Sequence, residues 1–331
     1  MERLCFASRL LALAGLLVLE TADFAHSCIV GVTICAHDFN GDGKSDILWR
    51  HTGGATAIWL MDGALVLQPG NLGVVPTNWQ IIGQRDFNGD AITDLLWRDG
   101  NSGTVAIWLI TGFQAGPATL GVVPSNWTVV GAADFNGDGN TDILWRDSNS
   151  GTVAVWLMNV LQIGETGVLG AVPSNWIVAG TGDFDGDGNT DILWRDSNSG
   201  TVAVWLMNGL QIAQTGTVGA APSNWAIVGT GDFNGDGKPD ILWRDSTTGT
   251  VAVWLMDGLL VSQSGALGAV PSSWIIAETG DFDGDGNSDI LWRNTTSGVV
   301  AIWFMDGLLV RSSASIGTVG LDWTIQGLNA D

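Results

Sequence analysis

A thirteen-residue phrase recurs six times in this chain, and it limits the possible folds more than any other feature. It reads DFNGDGKPDILWR from Asp232 to Arg244, with close copies starting at Asp38, Asp86, Asp134, Asp183 and Asp281. Successive starts are separated by 48, 48, 49, 49 and 49 residues. A length of 331 residues would otherwise suggest two or three domains. A constant period of this size points instead to one architecture of stacked supersecondary units.

Each phrase opens with oxygen-bearing side chains at alternate positions around glycines. Counting the first Asp as position 1, positions 1, 3, 5 and 9 are Asp38, Asn40, Asp42 and Asp46 in loop 1. They are Asp86, Asn88, Asp90 and Asp94 in loop 2, and Asp134, Asn136, Asp138 and Asp142 in loop 3. In loop 4 they are Asp183, Asp185, Asp187 and Asp191, in loop 5 Asp232, Asn234, Asp236 and Asp240, and in loop 6 Asp281, Asp283, Asp285 and Asp289. Alternate oxygen donors with a glycine at position 6 are how a short loop surrounds a hard cation, which takes six to eight oxygens at about 2.3–2.6 Å. The carbonyl of position 7 would add one oxygen and water the rest. The bland alternative is a set of Asn/Asp/Gly turns that bind nothing. Three or four carboxylates within nine residues repel one another, however, unless a cation lies among them. About one Ca2+ per loop is therefore expected, in a structural role, because catalytic metals are not normally supplied sixfold. Loop 2 departs from the pattern with Ala91 in place of the glycine. A positive φ there costs alanine about 1 kcal/mol or more, so this site is expected to be the weakest.

Between the loops the chain reads as short strands with no helical period. In the fifth unit, residues 224–228, 240–244 and 250–256 form three strands, and 259–265 a weaker fourth. The turn 245–249 joins the second and third, and Asp257-Gly258 joins the third and fourth. Pro271, with Pro76, Pro124, Pro173 and Pro222, marks the crossing to the next unit. The third strand is apolar on both faces, as a strand sandwiched between neighbouring sheets must be. The expectation is an all-β fold: a six-bladed β-propeller of four-stranded antiparallel blades, one domain over residues 28–331. A parallel β-helix is the runner-up, though its coils are usually shorter. The final residues 323–327 copy a first strand whose loop then fails, while 29–36 sit at a first-strand position without its tryptophan. The simplest closure has the C-terminal strand complete the blade begun at Asp38. Seven blades, the alternative, would need a segment from elsewhere.

All 18 tryptophans lie in the repeats, three per unit. Packing between blades explains most of them, since each ring buries about 150–250 Å2. The set beside the crossings, Trp79, Trp127, Trp176, Trp225, Trp274 and Trp323, is the candidate ligand platform, able to stack on sugar rings. The arginine ending each phrase (Arg50, Arg98, Arg146, Arg195, Arg244, Arg293) reads as an internal partner. It would either pair with the Asp that follows in four units (Asp99, Asp147, Asp196, Asp245) or stack on tryptophan. Contact with an anionic ligand between blades is the alternative.

The loop D-x-[DN]-x-D-G-x-x-D followed by a short apolar strand, six times in register from about Cys28 to Asp331, resembles the FG-GAP/VCBS repeats of integrin-like β-propellers. The resemblance implies calcium in each loop and a propeller. It does not imply one function, because such propellers serve adhesion, lectin activity and accessory roles in secreted enzymes.

The N-terminus differs in kind. Arg3 and Arg9 precede the apolar run LLALAGLLVL at 10–19, and small residues follow through Ala25 and Ser27. This reads as a secretory signal over residues 1–27, too short for a comfortable membrane span, and no other segment is apolar enough to be one. A secreted, extracellular or cell-surface protein is expected. Cys28 and Cys35 would remain after cleavage and could pair, though spacing does not establish it. A formal charge of −22 with no basic stripe argues against nucleic-acid phosphate as a partner. Twenty of the 34 acidic residues lie in the loops, and six dications would bring the charge to −10.

An enzyme needs a constellation that breaks the repeat. His26 lies near the signal junction, His37 and His51 flank loop 1, and Glu165 and Glu278 stand alone. No nucleophile elbow or phosphate-cradling loop is present. The reading is therefore a monomeric, calcium-stabilised binding or adhesion module for glycans or extracellular proteins, engaged through repeated inter-blade surfaces. The alternatives are a secreted hydrolase or lyase with its site in the central funnel, and a purely structural surface protein.

Overall fold

A computed structural model describes residues 37–327 of the chain. The expected signal segment, Cys28, Cys35 and residues 29–36 lie outside the described residues. Within them the chain forms 24 strands arranged as six four-stranded antiparallel sheets, with no helix. This is the expected six-bladed propeller. Blades 2 to 6 span residues 79–122, 127–171, 176–220, 225–269 and 274–318, each in simple chain order. Blade 1 is closed by both ends of the described chain: strand Trp323–Ile325 pairs with Ile47–His51, setting Trp49 opposite Ile325 and His51 opposite Trp323.

First strands line the axis and pack against those of the neighbouring blades, while fourth strands form the rim. In blade 5 the fourth strand runs Leu260–Ala269, ten residues and among the longest, rather than a weak stretch ending at residue 265. Its Gly, Ser and Gln content hides the strand pattern, because at the rim one face meets solvent. Irregular register between Val251 and Ala252 and between Leu255 and Met256 bends this ribbon.

Among the described residues the apolar core is divided rather than central. Six apolar clusters each sit between two blades. Between blades 4 and 5, Phe184, Leu193, Val202 and Val204 meet Ile241, Trp243 and Met256. The second-strand tryptophans Trp49, Trp97, Trp145, Trp194, Trp243 and Trp292 are at most 2% exposed. At about 25 cal/mol per Å2, each buried indole contributes roughly 4–6 kcal/mol. Antiparallel order then sorts the turns: the acidic loops and third-to-fourth-strand turns share one face. The first-strand tryptophans, proline crossings and second-to-third-strand turns share the other.

Candidate functional site: acidic loops and aromatic face

The position-1 carboxylate organises each acidic loop. In loop 5, Asp232 Oδ1 accepts N–H groups from Gly235 at 2.7 Å and Asp236 at 3.1 Å, and Oδ2 accepts that of Gly237 at 2.7 Å. The position-9 carboxylate staples the loop to the third strand. Asp240 accepts the N–H of Phe233 on Oδ2 at 2.9 Å and that of Met256 on Oδ1 at 2.8 Å. Asp46, Asp94, Asp142, Asp191 and Asp289 make the corresponding pairs of bonds. Neighbouring loops also join: Thr93 N–H donates to Asp38 C=O at 2.7 Å, and Ser45 N–H donates to Asp281 C=O at 2.7 Å across the closure. The position-6 residue has positive φ throughout, from 83° to 90° at the glycines and 65° at Ala91, so the strain expected in loop 2 is present.

The donor set fits a hard dication. It is oxygen-only, and Asp183, Asp185 and Asp191 each bring a carboxylate oxygen within 4.8 Å of the others, as do Asp281, Asp283 and Asp285. Where position 3 is Asn, its Nδ2 donates to the position-5 carboxylate, at 3.0 Å for Asn234 and Asp236. Burial pushes the position-9 acids up, to about 8 for Asp46, Asp191 and Asp289 and about 7 for Asp94, Asp142 and Asp240. Burial also raises Asp38, Asp134, Asp183 and Asp232, and takes Asp281 to about 6. Such acids ionise at neutral pH most readily with a cation beside them.

The three tryptophan sets divide by exposure. The second-strand set is buried, whereas Trp79, Trp127, Trp176, Trp225, Trp274 and Trp323 remain partly exposed. The third-strand set is also partly exposed, and the sequence reading gave it no separate role. Trp225 and Trp254 line one groove of about 330 Å3 with Pro222 and Trp243. Trp225 also borders a larger cavity of about 470 Å3 with Ile177 and Val228 on adjoining first strands and Arg195 on the second strand of blade 4.

The repeated arginines are structural, and their partner is tryptophan. Each lies over the buried indole of the next blade, from Arg50 over Trp97 at 4.9 Å to Arg293 over Trp49 at 5.3 Å. Their N–H groups are donated to crossing carbonyls, as Arg244 donates to Val270 at 3.2 Å and Pro271 at 3.1 Å. The Asp that follows the arginine in blades 2 to 5 does not pair with it, because adjacent strand residues face opposite sides. That carboxylate instead accepts from the Asn before the blade's first tryptophan: Asn78 to Asp99 and Asn175 to Asp196, both at 2.8 Å.

Two pairs of residues that break the repeat lie at the closure, whereas Glu165 sits on the rim strand Gln162–Ala171 of blade 3. Glu278 is not isolated: His37 Nδ1 lies 2.5 Å from Glu278 Oε1, with both side chains fully buried. Glu278 occupies a first-strand position that is glycine in blades 2 to 5. At Gly180 a Cβ would come 2.7 Å from Thr230 Cγ2 of the next blade. The buried pair therefore pins His37, the residue before loop 1, to blade 6, where neither side chain meets solvent. His51 lies on the aromatic face, where its Nε2 is 2.7 Å from Asp322 Oδ2 and its ring meets Trp323 edge-on at 5.0 Å. Since Gly53 N–H donates to His51 Nδ1 at 2.8 Å, the ring proton sits on Nε2 and points to Asp322. This pair stands where blades 2 to 5 have the Asn–Asp clasp.

A search of curated proteins returns no match. Among solved structures, a chain of the Photorhabdus luminescens Tc holotoxin pore aligns with a TM-score of 0.54 and 16% identity, over 80% of this chain and 14% of that one. This chain thus spans a small part of that protein, and the likeness concerns the fold alone. A Lactobacillus plantarum protein aligns at 0.46 and 17% identity over 83% and 82% of the two chains. A functionally unknown Desulfotomaculum acetoxidans protein aligns at 0.47 and 12% identity over 81% and 80%. The model of the FG-GAP-like repeat matches residues 86–145, 183–243 and 232–292, each match beginning at an acidic loop and ending on a buried second-strand tryptophan. With that match laid on six blades of one design, the chain belongs to the FG-GAP-like repeat family.

Proposed function

We propose that this protein is a secreted, calcium-stabilised binding module that engages glycans through the aromatic face of the propeller. The observation that carries this reading is the pair of partly exposed indoles, Trp225 and Trp254, lining one inter-blade groove with Pro222 of the crossing. Indole faces stack on the apolar face of a sugar ring, and sixfold repetition converts weak single contacts into avidity. Calcium would act at a distance, fixing loops that join each blade to the next. The run at 10–19 behind Arg3 and Arg9 supports export, where millimolar calcium is met.

The test is a glycan-array screen of the mature protein in millimolar calcium and after chelation, repeated with Trp225→Ala. Calcium-dependent retention of a defined sugar, weakened in the variant while its fold persists, supports the proposal. Absence of sugar binding in both conditions, with folding still calcium-dependent, overturns the glycan ligand in favour of an extracellular protein.

A further inference from the structure

The six loops are not electrostatically equivalent. Loops 4 and 6 alone carry Asp at position 3, Asp185 and Asp283, where the other four carry Asn. Each of these two faces a lysine from position 7 of the following loop around the ring. Lys238 bonds Asp257 within the field of Asp185, and Lys44 bonds Asp62 within the field of Asp283. Elsewhere that position-7 residue is Ile92, Asn140, Asn189 or Asn287.

Loop 6 has a second cation of its own. Arg311, on the rim strand Leu309–Thr318, places one guanidinium nitrogen on Asp283 Oδ2 and the other 2.6 Å from Asp285 Oδ2. The equivalent rim residues in the other blades are Leu67, Gly116, Gly164, Ala213 and Ser262, none of them charged. Asp283 and Asp285 are two of the three carboxylates that converge within 4.8 Å in this loop. The guanidinium fork thus occupies oxygens that a metal ion would draw inward.

We infer that Arg311 is a built-in cation for loop 6, holding that loop without a divalent ion and making it the last of the glycine-complete loops to take one up. The inference rests on the proposed calcium reading. A positive charge a few ångströms from the ion and competition for Asp283 and Asp285 both act in the same direction, against the metal. Loop 4, which has four Asp and one facing lysine but no arginine, lacks this restraint.

Arg311→Ser introduces the residue that blade 5 has at this place and alters a partly exposed rim side chain. Ions bound per chain are counted by native mass spectrometry across a free-calcium series, with melting followed in chelator and in calcium. The variant is expected to hold one more ion at limiting calcium, with affinity at that site raised about tenfold or more. It should also melt lower than the parent in chelator and gain more on calcium addition. Adding Asp285→Ala to Arg311→Ser should abolish the extra ion, because it removes the position-5 carboxylate that all six loops carry. Identical ion counts for parent and Arg311→Ser, with calcium clearly bound by both, would overturn the inference and leave the calcium reading standing. If neither protein binds calcium, both fall together.

Discussion

Arg293 lies over Trp49 with its guanidinium carbon 5.3 Å from the ring centre, so the last blade grips the first by the same contact that joins every other neighbouring pair. Arg293 also donates to Val319 C=O at 2.8 Å and Gly320 C=O at 2.9 Å. Arg293→Ala should cost about 3 kcal/mol, from a lost cation–π contact and charged hydrogen bonds that leave carbonyls unpaired. Arg293→Lys should fall between the two, since it keeps the charge without the planar fork. Urea unfolding followed by tryptophan fluorescence measures both. An Arg293→Ala variant as stable as the parent would show that the strand pairing alone closes the ring.

Ala91→Gly should stabilise the protein by about 1 kcal/mol, because alanine is held at φ 65° where the other loops have glycine. Loop 2 should then bind calcium as tightly as loop 3. Isothermal titration of the two proteins would show the change as the loss of the weakest site.

Val160 is the less obvious case. It has φ 56° in the turn between the third and fourth strands of blade 3, where the other five blades have glycine at 59–61°. A β-branched residue in this region is strained. Val160→Gly should gain about 0.5–1 kcal/mol, the relief being reduced by the extra freedom glycine has when unfolded. A fall in melting temperature would contradict this.

The buried position-9 acids give the metal-free protein a distinctive pH profile. Asp46, Asp191 and Asp289 titrate near 8 and Asp94, Asp142 and Asp240 near 7 when folded, against an ordinary value of about 4. An acid whose pKa rises on folding binds its proton more tightly in the native state. That stability is complete below the unfolded value and is lost as pH climbs towards the folded one. In chelator, melting temperature should therefore fall between about pH 5 and 8, and saturating calcium should flatten or reverse the slope. A metal-free protein that gains stability over this window would show that these carboxylates ionise without a cation.

Much of this molecule was legible because its information is periodic. The spacing of the DFNGDG phrases gave the blade, and the lone Ala91 marked the strained loop. What the repeat could not reveal was direction and distance. Arg195 and Asp196 are neighbours in sequence, yet a strand turns them to opposite sides, so one stacks on Trp243 and the other binds Asn175. His37 and Glu278 meet only because the ring closes. Glu278 was visible as a glutamate in a column of glycines, but its partner lay far outside any local window. Arg311 was likewise visible as a lone charge in a polar rim strand, and only the fold shows that it reaches Asp283 and Asp285.

The sixfold division of the core bears on how such a chain could be rewritten. Because each apolar cluster belongs to two blades, no blade has an interior of its own, and excising one unit would leave two unfinished half-clusters. Connectivity is a weaker constraint than adjacency. A circular permutant that joins Gln326 to His37 through a short linker and opens at the Pro222 crossing would present every strand with its present neighbours. The ring has a fixed membership but no obligatory first member.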